Sequence, residues 1–380
     1  MDKKSSKALE SLKPSRVIIP IIIGLGVVVW MFVTDEEMKW EQVVHDIKNA
    51  NIAWIALAIV ALFARDIGYI YRIRYLTNKE LSWISSIYVI ILWEFASALT
   101  PSVVGGTAVV AFIISKENIP FGKSLAYVML TAVLDNLFFV VASLTVILLQ
   151  VDAFPSIKLD MIGVDGVLPV ENIFIISVSL IALYTFLMVF GIFGKPQAVK
   201  WLFAKVTANR FLRRFHKAAV KSGDDIILAS SQLKGMDLKY WIRAIMSTIF
   251  IWSARYLIVN FFIAAFSDVN FTDHIIIFAR HLIMWIVMLL SPTPGGAGFA
   301  EGAFPTFFED FTGPSATAHA TAVTIALTWR LLTYYLYLIL GVIFLPRWVA
   351  RVFKVKPKAH EDDHHAADQQ DESPSSEEKG

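Results

Sequence analysis

The chain has 380 residues, of which 56% are hydrophobic and 17% charged, with a formal net charge of +2 and a mean hydropathy of +0.61. Soluble domains carry about a quarter charged residues and less apolar content, so a water-soluble enzyme, a disordered regulator and a disulfide scaffold are excluded together. The absence of cysteine excludes thiol catalysis. We expect an integral membrane protein without a metal or cofactor site.

The N-terminal segment begins with a basic leader at residues 1–16, followed by an apolar run at 17–33. This arrangement resembles a secretory signal, but the residues that follow, Thr34 to Glu37, offer no small-residue cleavage site. We therefore expect a retained anchor whose leader lies in the cytoplasm.

Eight apolar stretches approach the roughly 20 residues that a membrane crossing requires. They are 17–33, 52–71, 84–115, 124–149, 173–193, 242–266, 275–311 and 317–345. Two of them are too long for one helix and contain proline and glycine in the middle, at 100–106 and 291–296. Because proline removes a backbone donor and glycine weakens a helix, each of these two is predicted to form two half-helices.

Charges in the connections predict which side of the membrane each one faces. The connection 195–243 carries eleven Lys and Arg residues against three Asp, so it is expected in the cytoplasm. The short loop containing Arg72 and Arg74 and the segment after Pro346 are basic as well and are placed on the same side. The loops 34–51 and 150–172 are mainly acidic and are placed outside.

An even number of crossings must separate two cytoplasmic connections, and this parity predicts that stretches 84–115 and 275–311 are re-entrant hairpins. The predicted fold is an all-α polytopic membrane protein with six full transmembrane helices and two re-entrant helical hairpins, with both termini cytoplasmic. The alternative of eight simple spans would place the basic connection outside.

The two halves of the chain also have matched spacings. Arg65 lies 36 residues before Pro101, and Arg255 lies 37 before Pro292. A glycine pair follows each of these prolines. With the topology above, this predicts an inverted repeat, an arrangement typical of transporters. The transmembrane domain is placed at 17–350, with repeat halves at about 52–149 and 242–345, the basic connection at 195–241 and a disordered cytoplasmic tail at 351–380.

Several charged residues fall within the apolar stretches, where a charge costs roughly 2.5 to 3.5 kcal/mol on insertion scales. They are Arg65, Glu94, Asp135, Arg255, Arg280, Glu301 and Arg330. Because Arg65, Arg255 and Arg330 flank the two breaks, they are predicted to line a binding site. The alternative is that the charges pair with one another and only hold the bundle together. Asp66 is not expected to partner Arg65, since neighbours on a helix point about 100° apart.

The breaks themselves are predicted to attract anions, because a half-helix that starts inside the membrane exposes N–H groups and the positive end of its dipole. The alternative role for the glycines is close helix packing. The predicted substrate-binding residues of the first half are Arg65, Pro101, Gly105, Gly106, Thr107 and Asp135. Those of the second half are Arg255, Pro292, Pro294, Gly295, Gly296, Gly298, Glu301 and Arg330.

Three motifs resemble the transmembrane, flippase-like domain of lysylphosphatidylglycerol synthases and its stand-alone relatives. They are Leu99–Gly106, Ser291–Glu301 and Trp329–Leu331. The resemblance implies a prokaryotic inner-membrane protein that moves a phospholipid or other lipid-linked anion between leaflets, and it assigns the motif positions Pro294, Gly295, Gly296, Gly298, Glu301 and Arg330. The chain departs from the family at Thr107–Phe112 and at Asp135, where other residues are common. Because no soluble synthase domain follows in this sequence, aminoacyl transfer is not expected.

The leading hypothesis is a flippase or scramblase-like transporter whose expected partners are membrane lipids with anionic headgroups. The alternatives are a transporter of a small soluble anion and a non-catalytic membrane assembly factor. No metalloprotease, hydrolase or zinc motif occurs in the sequence, so an enzyme is not expected. A nucleic-acid partner is not expected either, and the sequence leaves the oligomeric state open.

Overall fold

The computed structural model describes residues 40–100, 103–149, 170–208, 213–289, 293–313 and 315–353, together with the isolated positions Ile22, Gly26, Val29, Phe154 and Ser291. Every regular element in these ranges is helical. The α-helices are α1 Trp40–Asn49, α2 Ile52–Leu76, α3 Trp83–Leu99, α4 Val103–Lys116, α5 Phe121–Leu148, α6 Val170–Val189, α7 Pro196–Thr207, α8 His216–Leu233, α9 Leu238–Phe266, α10 Phe271–Met288, α11 Phe299–Phe308, α12 Ser315–Arg330 and α13 Leu336–Phe353.

Six helical segments within the described residues are long and apolar enough to cross a membrane. They are Ile52–Leu76, Phe121–Leu148, Val170–Gly194, Leu238–Phe266, Phe271–Met288 and Thr317–Phe353. Five contain or overlap spans predicted as full crossings, and the chain is a multi-pass membrane protein. The sixth predicted crossing, 17–33, lies almost wholly outside the described residues.

Both interrupted stretches form two helices, as their proline and glycine content predicts. The first consists of α3 and α4. The second consists of α10 and α11, joined through a 3-10 turn at Pro294–Gly296. The arms of the second stretch differ in length: α10 has 18 residues and α11 has 10, or about 27 Å and 15 Å. By length alone α10 can cross a bilayer, whereas α11 cannot.

Two short π-helical segments interrupt the long helices, and the sequence did not predict them. One, Phe190–Gly194, ends α6, and the other, Leu331–Tyr335, joins α12 to α13 directly after Arg330. Such segments change the direction in which the following side chains project. The second therefore sets the positions of the tyrosines that follow Arg330.

Helix α2 packs along α9, and this is the most extensive contact between two helices in the described chain. Gly68 permits the close approach, because a Cβ atom there would lie 2.8 Å from Cγ1 of Ile251. Helix α3 packs against α13 and also against the turn at Pro294–Gly296. The basic connection forms α7 and α8, which pack against each other, while α8 also packs on α5.

Candidate functional site

Arg65, on α2, is 1% exposed and fully engaged by two neighbours. Its Nη2 atom donates to Oδ1 of Asp66 at 2.8 Å and to the hydroxyl of Tyr337 at 2.5 Å. The Tyr337 hydroxyl in turn donates to Asp66. The expectation that Asp66 would not partner Arg65 is wrong, because both side chains converge on a third group, the hydroxyl on α13.

Arg72 lies two turns further along α2 toward the loop and is also buried. It forms an ion pair with Asp135 of α5 at 2.5 Å and donates to Oγ1 of Thr248 at 3.0 Å. The indole of Trp252 donates to the same carboxylate at 2.9 Å. Sequence reasoning placed Arg72 in a basic loop and missed this role, since a charge count over a connection does not show where the helix ends.

Arg255, on α9, binds Glu94 of α3 at 2.9 Å. The Arg255 side chain is 14% exposed, against 1% for Arg65 and 5% for Arg330. Three aromatic rings surround the guanidinium carbon, with centroids 5.7 Å away for Tyr69, 5.1 Å for Trp252 and 4.9 Å for Trp285. Arginine stacks favourably on such rings. The rings and Glu94 together hold the guanidinium in place.

Several polar atoms near Arg255 are buried and have no hydrogen-bond partner among the described residues. They are Nε of Arg255, the hydroxyl of Tyr256 and Nε1 of Trp285. Buried polar groups are normally paired, and leaving one unpaired costs about 1 to 3 kcal/mol. The region between α9 and α10 therefore has unused capacity to donate hydrogen bonds to an acceptor.

Arg330 and Glu301 form the ion pair of the second break, with Nε of Arg330 3.1 Å from Oε1 of Glu301. The arginine also donates to the carbonyl of Gly295 at 3.2 Å. Oε2 of Glu301 accepts from the amide of Gly298 at 2.9 Å, so this carboxylate caps the first turn of α11. The positive end of α11 is thus occupied by a carboxylate of its own chain.

Tyr334 ties the two interrupted stretches together. Its hydroxyl lies 3.2 Å from the carbonyl oxygen of Ala98, at the end of α3, and 3.0 Å from that of Pro294. Gly295, at φ +57°, approaches the Ala98 backbone so closely that an added Cβ would lie 3.1 Å from it. The ring of Tyr334 also lies 3.8 Å from the guanidinium carbon of Arg330. The breaks in the two stretches therefore meet inside the protein.

These contacts bring Arg65, Arg255 and Arg330 around one short region of the fold. Glu94 and Ala98 are four residues apart on α3, and Tyr334 and Tyr337 are three residues apart where α12 gives way to α13. Arg255 binds Glu94, and Arg65 binds Tyr337. One sequence signal could have identified these tyrosines: residues 330, 334 and 337 have the spacing that places them on one face of a helix.

The remaining predicted site residues are described less completely. Pro101 and Pro292 lie outside the described residues. Gly105, Gly106 and Thr107 belong to the first turns of α4, but their contacts lie outside the described part of the structure. Gly296 is buried at φ +69°, and Gly298 precedes α11 at φ +79°. Arg280, also buried, pairs with Asp310 at 2.9 Å, away from the three central arginines.

Comparison with known proteins gives two matches. The family model described as the lysylphosphatidylglycerol synthase TM region matches residues 17–341. The chain is also 25% identical, over 339 residues, to a UPF0104 membrane protein of Archaeoglobus fulgidus. That match covers 86% of this chain and 94% of the archaeal protein.

Proposed function

This chain belongs to the lysylphosphatidylglycerol synthase transmembrane-region family, and on that premise we propose that it moves a phospholipid or lipid-linked anion between membrane leaflets. The family match covers most of the chain and agrees with the resemblance in the three motifs. The proposal assigns no catalytic step to the protein. A plasma membrane of a prokaryote, with both termini in the cytoplasm, is the proposed location.

The observation that carries the proposal is the convergence of Arg65, Arg255 and Arg330 where the two interrupted stretches meet. Charges at membrane depth are expensive and are found mainly where they line a pathway or site. Arginine matches phosphate oxygens with two parallel hydrogen bonds. A headgroup phosphate passing this region would meet guanidinium groups from both halves of the chain.

Each central arginine is paired with a carboxylate, and this pairing suggests how an anion would bind. Removing one partner from a buried ion pair leaves an uncompensated charge. When no anion is bound, the carboxylates are therefore needed to balance the charges of the arginines. We infer that a phosphate displaces a carboxylate from its arginine, and that Glu94 is the partner most easily displaced because Arg255 is the most exposed of the three central arginines. The displaced carboxylate can then contact a cationic part of the headgroup.

The second break takes a different part in this proposal. Since Glu301 already caps α11, the amides at the start of that helix become available only when this carboxylate moves. Arg330 binds both Glu301 and the Gly295 carbonyl. Movement of Arg330 would therefore break a contact with the turn at Pro294–Gly296. We propose that this linkage couples the site to the conformation of the break.

Alternating access is proposed to come from movement of one half of the chain against the other. Two observations support an inverted repeat with re-entrant hairpins. Helices α2 and α9, which begin the two halves, pack along each other. In addition, the end of α3 contacts the turn at Pro294–Gly296, as expected for two hairpins that meet near the midplane.

The proposal is tested by reconstituting the full chain in vesicles that contain a fluorescent anionic phospholipid and following its movement between leaflets. Arg330→Ala and Glu301→Ala are expected to abolish movement while the protein elutes as a folded species in detergent. Arg280→Gln is the matched control, because Arg280 is also a buried, paired arginine but lies away from the three. Wild-type rates in both site variants would remove these residues from the mechanism. Uptake of soluble phosphate without lipid movement would favour the small-anion transporter.

A further inference from the structure

A groove of about 380 Å³ lies on the outer side of the contact between α2 and α9. Its walls include Ile67 and Tyr71 of α2 and Met246 and Phe250 of α9. These four side chains are all exposed, although they belong to helices of membrane-spanning length and composition. The groove therefore faces the surroundings of the bundle rather than its core.

The floor of the groove depends on Gly68. A Cβ atom at this position would lie 3.1 Å from Cδ1 of Phe250 as well as 2.8 Å from Ile251. Any larger residue would have to push α2 away from α9 or displace the ring of Phe250. The glycine thus keeps the two helices close and leaves an apolar channel above their contact, of the kind that an acyl chain can occupy.

Two arginines stand at the end of the groove where α2 ends and α9 begins. Arg74 lies over the ring of Trp83 at 4.6 Å, and Arg243 lies over the ring of Tyr75 at 5.6 Å. Trp83 and Arg243 are themselves part of the groove lining. A basic and aromatic rim of this kind is typical of the level at which lipid headgroups lie.

These arginines differ from those of the core because neither has a carboxylate within 4.0 Å in the part of the chain that the structure describes. Nε of Arg74 is moreover buried without a hydrogen-bond partner among the same residues. A buried donor without a partner and two uncompensated positive charges call for an anionic acceptor.

We propose that this groove binds one anionic phospholipid, with an acyl chain along Ile67, Gly68 and Phe250 and the phosphate between Arg74 and Arg243. A soluble anion would use the arginines but would gain nothing from the apolar floor, whereas a phospholipid uses both. Because α2 and α9 belong to different halves of the chain, the bound lipid would bridge the two halves. This inference stands independently of the proposed transport function.

Native mass spectrometry of the full chain in detergent, titrated with phosphatidylglycerol, tests the proposal. The double variant Arg74→Gln/Arg243→Gln is expected to lower the affinity of the tightest lipid by about tenfold or more, the size of one lost charge-assisted hydrogen bond. The matched control Arg214→Gln/Arg347→Gln also removes two cations, from other regions, and is expected to bind as the wild type does.

A second variant separates lipid from free phosphate. Met246→Trp fills the groove from an exposed position and leaves both arginines in place, so it is expected to weaken phosphatidylglycerol binding without changing binding of inorganic phosphate. Phosphatidylcholine is expected to bind more weakly than phosphatidylglycerol. The proposal is overturned if the arginine variant binds like the wild type, if the control loses as much affinity, or if Met246→Trp has no effect on the lipid.

Discussion

Arg65 and Arg255 occupy matched places in the two halves of the chain, yet their surroundings differ. Arg65 is 1% exposed and donates to both Asp66 and Tyr337. The Arg255 side chain is 14% exposed and pairs with Glu94. Its Nε has no hydrogen-bond partner among the described residues. A fully satisfied arginine stabilises the fold, whereas a partly satisfied one is able to exchange its partner. Within the proposed function, we therefore expect Arg65 to anchor the site to α13 and Arg255 to exchange its carboxylate for the transported anion.

The largest effect on stability is expected for Arg65→Ala. The substitution empties a site that is 1% exposed and leaves Asp66 and the Tyr337 hydroxyl without their cation, a loss of about 3 to 5 kcal/mol. Denaturant titration in mixed micelles measures it. The double variant Arg65→Met/Asp66→Leu removes both charges and is expected to recover part of the loss. If Arg65→Ala unfolded as the wild type does, the structural role of this arginine would be wrong.

A smaller effect is expected for Gly295→Ala, which tests whether the third arginine, Arg330, depends on the turn beside it. Gly295 has φ +57°, and a Cβ there would collide with Tyr334. Gly313→Ala is the matched control, because that glycine also has positive φ, +111°, but nothing lies within 4 Å. Both variants carry about 1 to 2 kcal/mol of backbone strain, and the collision is expected to add about 1 to 3 kcal/mol at Gly295 alone. Equal losses at the two positions would contradict the close contact between the breaks.

Arg255→Gln is expected to cost less than Arg65→Ala, about 1 to 2 kcal/mol, because the Arg255 side chain is 14% exposed, against 1% for Arg65, and its ion pair is therefore less fully desolvated. The same micelle titration, run in parallel with Arg65→Ala, provides the comparison. A loss equal to that of Arg65→Ala would remove the distinction between the two arginines.

The smallest effect on stability is expected for Tyr334→Phe. The ring that packs on Arg330 stays, and only the hydroxyl near the Ala98 and Pro294 carbonyls is lost, which is worth about 1 kcal/mol. Hydrogen exchange of the α3 end and the Pro294–Gly296 turn is expected to rise in this variant. Unchanged exchange at both places would mean that the hydroxyl does not join the two breaks.

Local sequence chemistry was sufficient to predict the breaks in the two long apolar stretches. Proline and glycine change the backbone at their own positions, and α3 ends at Leu99 and α10 at Met288, two and four residues before Pro101 and Pro292. The apolar runs likewise predicted the long helices. How many of these helices cross the membrane stays a prediction, since α10 is long enough to do so.

The partners of the buried charges could not be predicted in the same way, because they depend on which helices become neighbours. Arg72 and Asp135 are 63 residues apart, and Arg255 and Glu94 are 161 apart. Asp66 was rejected as a partner on helix geometry alone, which takes no account of a hydroxyl supplied from another helix. The π-helical segment Leu331–Tyr335 contains no proline or glycine, so no local sequence signal predicts it.

Movement of a fluorescent anionic phospholipid in vesicles containing Arg255→Gln tests the central claim most directly. Normalised to folded protein, the rate is expected to fall at least tenfold, as a lost charge-assisted contact would produce, while Arg280→Gln keeps the wild-type rate. A wild-type rate in Arg255→Gln would show that the arginine between the two halves does not bind the transported anion.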